Sequence, residues 1–207
     1  MGIAALLDDF RTDRTAGSAA EFSLVLPLLL IFLFGIIDVG GYAWAINKAE
    51  KATQMGTRMA VVTDPAATGL ASYSYVGKTI GGVTLTQGDV IPADSMVITC
   101  TSASCTCTGC PTGMSISKNN ANFTSIVTRM QAFDPGIVAA NVEILYRSAG
   151  LGYAGDPSGM EIAPLVTVRL TGRTYAPFTL YLIKAAVPLP SFSYSLPMED
   201  GSGSVSN

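Results

Sequence analysis

The chain has 207 residues, 49% of them hydrophobic and only 13% charged, with a net charge of -3. It contains no histidine, which excludes Ser-His-Asp and Cys-His catalysis in their usual forms and every His-ligated metal site. Its few Lys and Arg form no block able to neutralise phosphates, so no nucleic-acid partner is expected.

Residues 1–16 (MGIAALLDDFRTDRTA) form a short mixed-charge leader, in which Asp8, Asp9 and Asp13 outnumber Arg11 and Arg14. An ordinary secretory signal starts with net positive charge and has a shorter apolar core. Secretory cleavage at Ala43-Trp44-Ala45 is therefore not expected. From Phe22 to Ile37 (FSLVLPLLLIFLFGII), sixteen residues carry no charge, and Glu21 and Asp38 stand at the two ends. On a helix those carboxylates lie roughly 25 Å apart, close to the roughly 30 Å of a bilayer's hydrocarbon core. This predicts one N-terminal membrane helix. Pro27 is expected to bend it or open its ladder. Gly35, Gly40 and Gly41 would let another helix approach closely.

The helical pattern continues past Asp38. Ala45, Ala49, Ala52, Met55 or Gly56, Met59 and Val62 recur at helical spacing, with Lys48, Lys51 and Arg58 on other faces. The reading is one helix from about Ser18 to Val62 whose second half is an amphipathic stem. Asp64-Pro65 ends it, because the residue before proline avoids the helical region. Such a helix spans roughly 67 Å, longer than a solitary anchor needs and suited to packing against its copies.

Residues 66–88 are rich in Gly, Ser and Thr, with weak strand patterning at Tyr73–Tyr75 and Val83–Leu85. Ser95–Thr99 reads as a strand leading into a cysteine loop. Asn119–Phe133 reads as a helix with Phe123, Ile126, Val127, Met130 and Phe133 on one face, stopped by Asp134-Pro135-Gly136. Val142, Ile144 and Tyr146 alternate with polar or longer residues, as do Val166, Val168 and Leu170, predicting two antiparallel strands joined by the Gly-rich stretch 148–159. Phe178–Val187 is apolar and ambiguous between helix and strand, and Ser191–Leu196 alternates like a last strand. Tyr73, Tyr75, Tyr153, Tyr175 and Tyr181 read as half-buried sheet positions rather than an adhesive surface. The fold class is α+β, with a long N-terminal transmembrane and stem helix followed by a small antiparallel-sheet extracytoplasmic domain. The segments are a leader (1–16), the helix and stem (17–64), the α+β domain (65–199) and a disordered tail (200–207).

Cys100, Cys105, Cys107 and Cys110 lie within eleven residues in the Ser/Thr-rich stretch TCTSASCTCTGCP. An even number in a membrane-tethered domain reads first as two disulfides in an oxidising compartment. Three pairings are open. The alternatives are a four-cysteine zinc site, which usually joins two Cys pairs across a folded spacer, and a Cys107-x-x-Cys110 redox pair, which lacks the strand-to-helix context that activates a thiol. No catalytic residue, metal site or cofactor is expected.

The stretch GSAAEFSLVLPLLLIFLFGIIDVG resembles the N-terminal signature of TadE-like proteins, pseudopilins of the Tad (Flp-type) tight-adherence pilus system. The likeness rests on small residues before Glu21-Phe22, on Pro27, on Gly35 and on Asp38-Val39-Gly40, and extends over residues 15 to about 62. It implies a cytoplasmic leader, a periplasmic C-terminal domain and an inner-membrane helix that joins or initiates a pilus. It also implies cleavage of the leader by a prepilin peptidase near Ala16, Gly17 and Ser18. In such leaders glycine precedes the cut and glutamate is the fifth mature residue. Here a fifth-position Glu21 would put Ala16 before the cut, whereas a cut after Gly17 would make Glu21 the fourth residue. Glu21 would then set subunit register by pairing with a new α-amino group, since a carboxylate at the edge of an apolar helix is costly unless paired. Phe22, Pro27, Gly35, Asp38 and Gly40 would serve helix packing. The implied partners are the inner membrane, other pilins and pseudopilins, Tad assembly proteins and the peptidase. The leader holds two basic residues and the stem three, so charge alone does not favour a cytoplasmic leader. The cysteines and the family likeness do. The alternatives are an unprocessed anchored subunit of the same apparatus, a Cys-loop metal or redox protein, and a lone anchored adhesin.

Overall fold

The computed structural model describes residues 14–181, 184–198 and 201, with side chains from Gly17 onward. The leader before Arg14 and most of the tail from 200 lie outside the described residues. The chain divides into two compact units. One holds the helix up to Trp44 together with Tyr175–Val187; the other holds Ala45–Thr174 and the residues from Pro188.

Helix α1 runs unbroken through Arg14–Val62, with Pro27 inside it. Pro27 has no N–H to offer the carbonyl of Ser23, four residues back. The Ser23 hydroxyl donates to the carbonyl of Ala20 at 2.8 Å. The helix stops where the sequence says it must, at Asp64-Pro65. Its exit is then tied down: the Tyr146 hydroxyl accepts from the Ala66 N–H at 2.8 Å, the Asn122 amide donates to the Pro65 carbonyl at 3.2 Å, and Asn119 N–H donates to the Ala66 carbonyl at 2.7 Å.

The larger unit is built on five strands: β4 (Val97–Cys100), β5 (Cys105–Thr108), β7 (Val142–Arg147), β8 (Leu165–Leu170) and β11 (Phe192–Pro197). They form one antiparallel sheet in the order β11-β8-β7-β4-β5. Short two-residue strands complete the set: β1 (Ala67–Thr68) with β6 (Ser117–Lys118), β2 (Thr79–Ile80) with β3 (Val83–Thr84), and β9 (Thr174–Tyr175) with β10 (Val187–Pro188). The two predicted alternating strands pair as β7 and β8, in register Ile144 opposite Val168. Alternation decides their faces. Ile98, Cys100, Val142, Ile144, Tyr146, Val166, Val168 and Leu170 are buried in one cluster. On the opposite face the directly paired Glu143 and Arg169 make an ion pair at 2.6 Å.

Two helices supply the other layer of the core. Helix α2 (Asn120–Gln131) is capped by the Asn119 side chain, which accepts from Asn122 N–H, and it buries Phe123, Ile126, Val127 and Met130, as its periodicity predicts. The second half of α1 buries Ala49, Ala52, Met59, Ala60 and Val61 in the same cluster. Gly56 sits where an added Cβ would be 2.6 Å from Met130 Cγ, so the absent side chain is what lets α1 and α2 approach. The buried Thr53, Thr57 and Thr63 hydroxyls donate to carbonyls one turn back, at 2.8, 3.0 and 2.7 Å, which satisfies them inside the core. The apolar face of the stem is thus covered by the chain's own domain.

Three local expectations are corrected. Tyr73–Tyr75 is not a strand: Tyr75 is fully buried beneath Tyr73, ring against ring at 5.0 Å. Tyr153 and Tyr181 are exposed rather than half-buried, because neither lies on the main sheet. The cysteine loop is half strand, because β5 pairs with β4 and sets Cys105 directly opposite Cys100.

Candidate membrane and assembly helix

The N-terminal half of α1 is an apolar cylinder. None of its most hydrophobic window is buried within the chain, and Gly17–Val62 is long and apolar enough to cross a membrane. Leu24, Leu29, Phe32 and Ile37 are each more than half exposed. At about 100° per residue they point to different sides of the helix. A helix apolar all round and uncovered by its own chain requires lipid or other helices around it. It is a candidate membrane anchor.

Gly17 and Ser18 lie on the first described turns and are exposed, with open space around Gly17. Ala16 is helical in backbone, and its side chain lies outside the described residues. Glu21 and Phe22 are exposed one turn on. Pro27 is exposed too, and Gly35 and Gly40 meet nothing within 4 Å of an added Cβ. Among the described residues these positions are exposed, apart from the half-buried Gly35, and they offer surface to a neighbour.

Asp38 differs. Only 9% of its surface is exposed. Its carboxylate accepts the N–H groups of Phe178 at 2.6 Å and Thr179 at 2.9 Å, and the Thr179 hydroxyl at 2.5 Å. It therefore acts as an N-terminal cap for the turn that begins at Phe178. Around this latch Phe34 packs on Phe178 with ring centroids 5.1 Å apart, and Tyr42 meets Tyr175 edge-on at 5.9 Å. A Cβ added at Gly41 would overlap the Tyr175 hydroxyl. Gly41 thus admits a ring of its own chain.

The latch was hidden in the sequence. Asp38 reads as a helix-packing residue or as an interfacial carboxylate, and PFTLYLI as an apolar stretch of uncertain type. The available signal was a Pro177-Phe178-Thr179 turn start with no acid of its own nearby, but nothing local points 140 residues back to Asp38.

All four cysteines are paired, Cys100 with Cys105 and Cys107 with Cys110. The first bridge joins facing residues at the end of the β4–β5 hairpin and lies in the core; the second is half-exposed at the far end of β5. No free thiol remains.

With this geometry in place, comparison with known proteins gives a family match. The model of the TadE family, described as TadE-like protein, matches residues 17–58. The matched stretch is the exposed apolar cylinder plus most of the stem, about a fifth of the chain, and over these residues the chain is similar to TadE-like proteins. No curated protein and no solved structure matches the chain.

Proposed function

We propose that the protein is a structural minor pseudopilin that supports assembly of a Tad-type pilus and, through it, surface adherence. The observation that carries this reading is the coincidence of the TadE-like match with a helix whose most apolar window is uncovered by its own chain. In this reading α1 crosses the inner membrane once, the leader is cytoplasmic and the disulfide-bonded domain is periplasmic. A prepilin peptidase cuts at the Ala16-Gly17-Ser18 junction. Glu21, exposed on the first turns after the cut, pairs with an α-amino group and fixes the axial register between helices. Phe22, Pro27, Gly35 and Gly40 pack against neighbouring pilins and Tad assembly proteins. The role is mechanical, and no catalysis is assigned.

The non-glycine residue Ala16 before the expected cut favours a second reading, an unprocessed subunit permanently anchored in the same apparatus. Intact mass of the membrane-extracted, unreduced protein separates the two. The expected chain begins at Gly17 or Ser18 and, with two disulfides, is four hydrogens lighter than its reduced form. A chain beginning at Met1 or Gly2 overturns the processed pseudopilin and leaves the fixed anchor. A start near Ile46 would mean ordinary secretion and remove the membrane helix altogether.

A further inference from the structure

Beside the N-terminal half of α1 lies the excursion Tyr175–Val187 (YAPFTLYLIKAAV), thirteen residues with Lys184 as their single charge. Tyr175 meets Gly41 and Tyr42 on the C-terminal side of Asp38, and the turn at Phe178 packs on α1 on its N-terminal side. Phe178 lies on Phe34, and Ile31, Phe34, Phe178, Thr179 and Tyr181 line one shallow apolar hollow. Ile31 and Phe34 belong to the sixteen-residue uncharged run, seven and four residues before Asp38. Whatever surrounds the helix at that level therefore also surrounds Phe178 and Tyr181, which are 61% and 73% exposed.

The backbone is prepared for such surroundings. Irregular chain survives in hydrocarbon only where its polar groups are satisfied internally. Pro177 has no N–H. The N–H groups of Phe178 and Thr179 go to Asp38. Those of Leu180, Tyr181, Lys184 and Ala185 go to the carbonyls of Pro177, Phe178, Tyr181 and Leu180. The Thr179 hydroxyl is also taken up by Asp38. Among the described residues from Pro177 to Ala185, then, every backbone N–H has an acceptor within the same unit.

We propose that the turn Pro177–Tyr181 is a second membrane contact: a short element that dips beside α1 into the outer part of the bilayer, latched at Phe178 and Thr179 by Asp38, with Phe178 and Tyr181 against lipid acyl chains. Lys184 carries the ammonium that returns to headgroup level. The latch also resolves the cost of Asp38, whose charge would otherwise stand unpartnered at the end of the apolar run. This inference rests on α1 spanning the membrane.

Single-tryptophan variants of the full chain in vesicles of lipids brominated at known acyl depths test it. The native Trp44 reports a shallow position six residues past Asp38. In a Trp44→Phe background, Ile31→Trp reports the span, and Tyr181→Trp and Phe178→Trp report the excursion. The two excursion variants should lose emission to mid-chain bromines as the Ile31→Trp variant does, and more than the parent with Trp44. Adding Asp38→Asn should move the Tyr181→Trp variant to the shallow profile, while the Ile31→Trp variant keeps its own. Quenching in the span variant without quenching in either excursion variant would overturn the second contact and leave the span intact. No quenching in the Ile31→Trp variant would overturn the span and the contact together. If the Tyr181→Trp variant is shielded from every bromine, and the more so as protein per lipid rises, the face belongs to a second copy and the lipid contact is overturned.

Discussion

Asp134→Ala should destabilise the larger unit by about 3 kcal/mol. Asp134 closes α2 and is 3% exposed. Its carboxylate takes Arg173 through one guanidinium nitrogen at 2.9 and 3.1 Å, the Gly136 N–H at 3.3 Å, and has Lys48 of α1 at 3.8 Å. The same guanidinium donates to the Gly136 carbonyl, while its Nε has no partner among the described residues. One acid thus joins the stem, the end of α2 and the chain leaving β8. Removing one partner of a buried pair costs roughly 3–5 kcal/mol, because the other charge stays buried. The Arg173 side chain keeps 19% of its surface exposed and retains the Gly136 carbonyl, which argues for the lower end of that range. For a chain of this size a loss of about 3 kcal/mol lowers the melting temperature by roughly 6–12 °C. The assay is thermal unfolding of the detergent-solubilised full chain, followed by near-ultraviolet circular dichroism. Asp134→Leu with Arg173→Leu should recover most of the loss, since no unpaired charge is then left buried. A single variant that melts within about 0.5 kcal/mol of the parent, as a surface pair would, refutes the buried-hub reasoning.

Two further outcomes follow from burial. Burial pushes the Tyr146 phenol well above its ordinary range, so its oxygen stays a neutral acceptor for the Ala66 N–H. Tyr146→Phe orphans that donor and should cost about 1–3 kcal/mol in denaturant titration; an unchanged midpoint would mean the helix exit is held by Asn119 and Asn122 alone. Under mild reductant, alkylation followed by mass analysis should label Cys107 and Cys110 first. The Cys100–Cys105 bridge, with Cys100 fully buried, should yield only as the domain unfolds. Simultaneous appearance of all four labels would contradict the difference in exposure.

The elements that sequence predicts well are those whose partners are decided by local periodicity. Ala49, Ala52, Gly56 and Met59 face the core because helical spacing puts them on one stripe. Phe123, Ile126, Val127 and Met130 do so for the same reason, and Val166 and Val168 by the period of two. The stem's covering was not legible, since a stripe of small residues fits a copy's helix or the chain's own α2 equally well; Met130 over Gly56 selects the latter. Strand β5 (CTCT) has no apolar alternation to announce it. Its place is settled by pairing with β4 and by sulfur chemistry. The apolar stretch after Pro177 stayed ambiguous because its structure is decided by one distant carboxylate. That is a tertiary fact with no periodic trace.

The disulfides also bear on crowding. Strand β5 is an edge of the main sheet, and an exposed edge is a template on which another chain can add a strand. This edge is four residues long, bound through Cys105 to β4 and through Cys107 to the loop that follows it. At the opposite edge the Tyr194 carbonyl of β11 lies 3.2 Å from the Thr57 hydroxyl, and the strand ends in Pro197, which has no N–H to offer. Copies held side by side by their apolar helices would meet at very high local concentration, the condition under which sheets fuse. With both margins blunted, such copies can crowd without zipping together, and the contacts that order them are left to the helices.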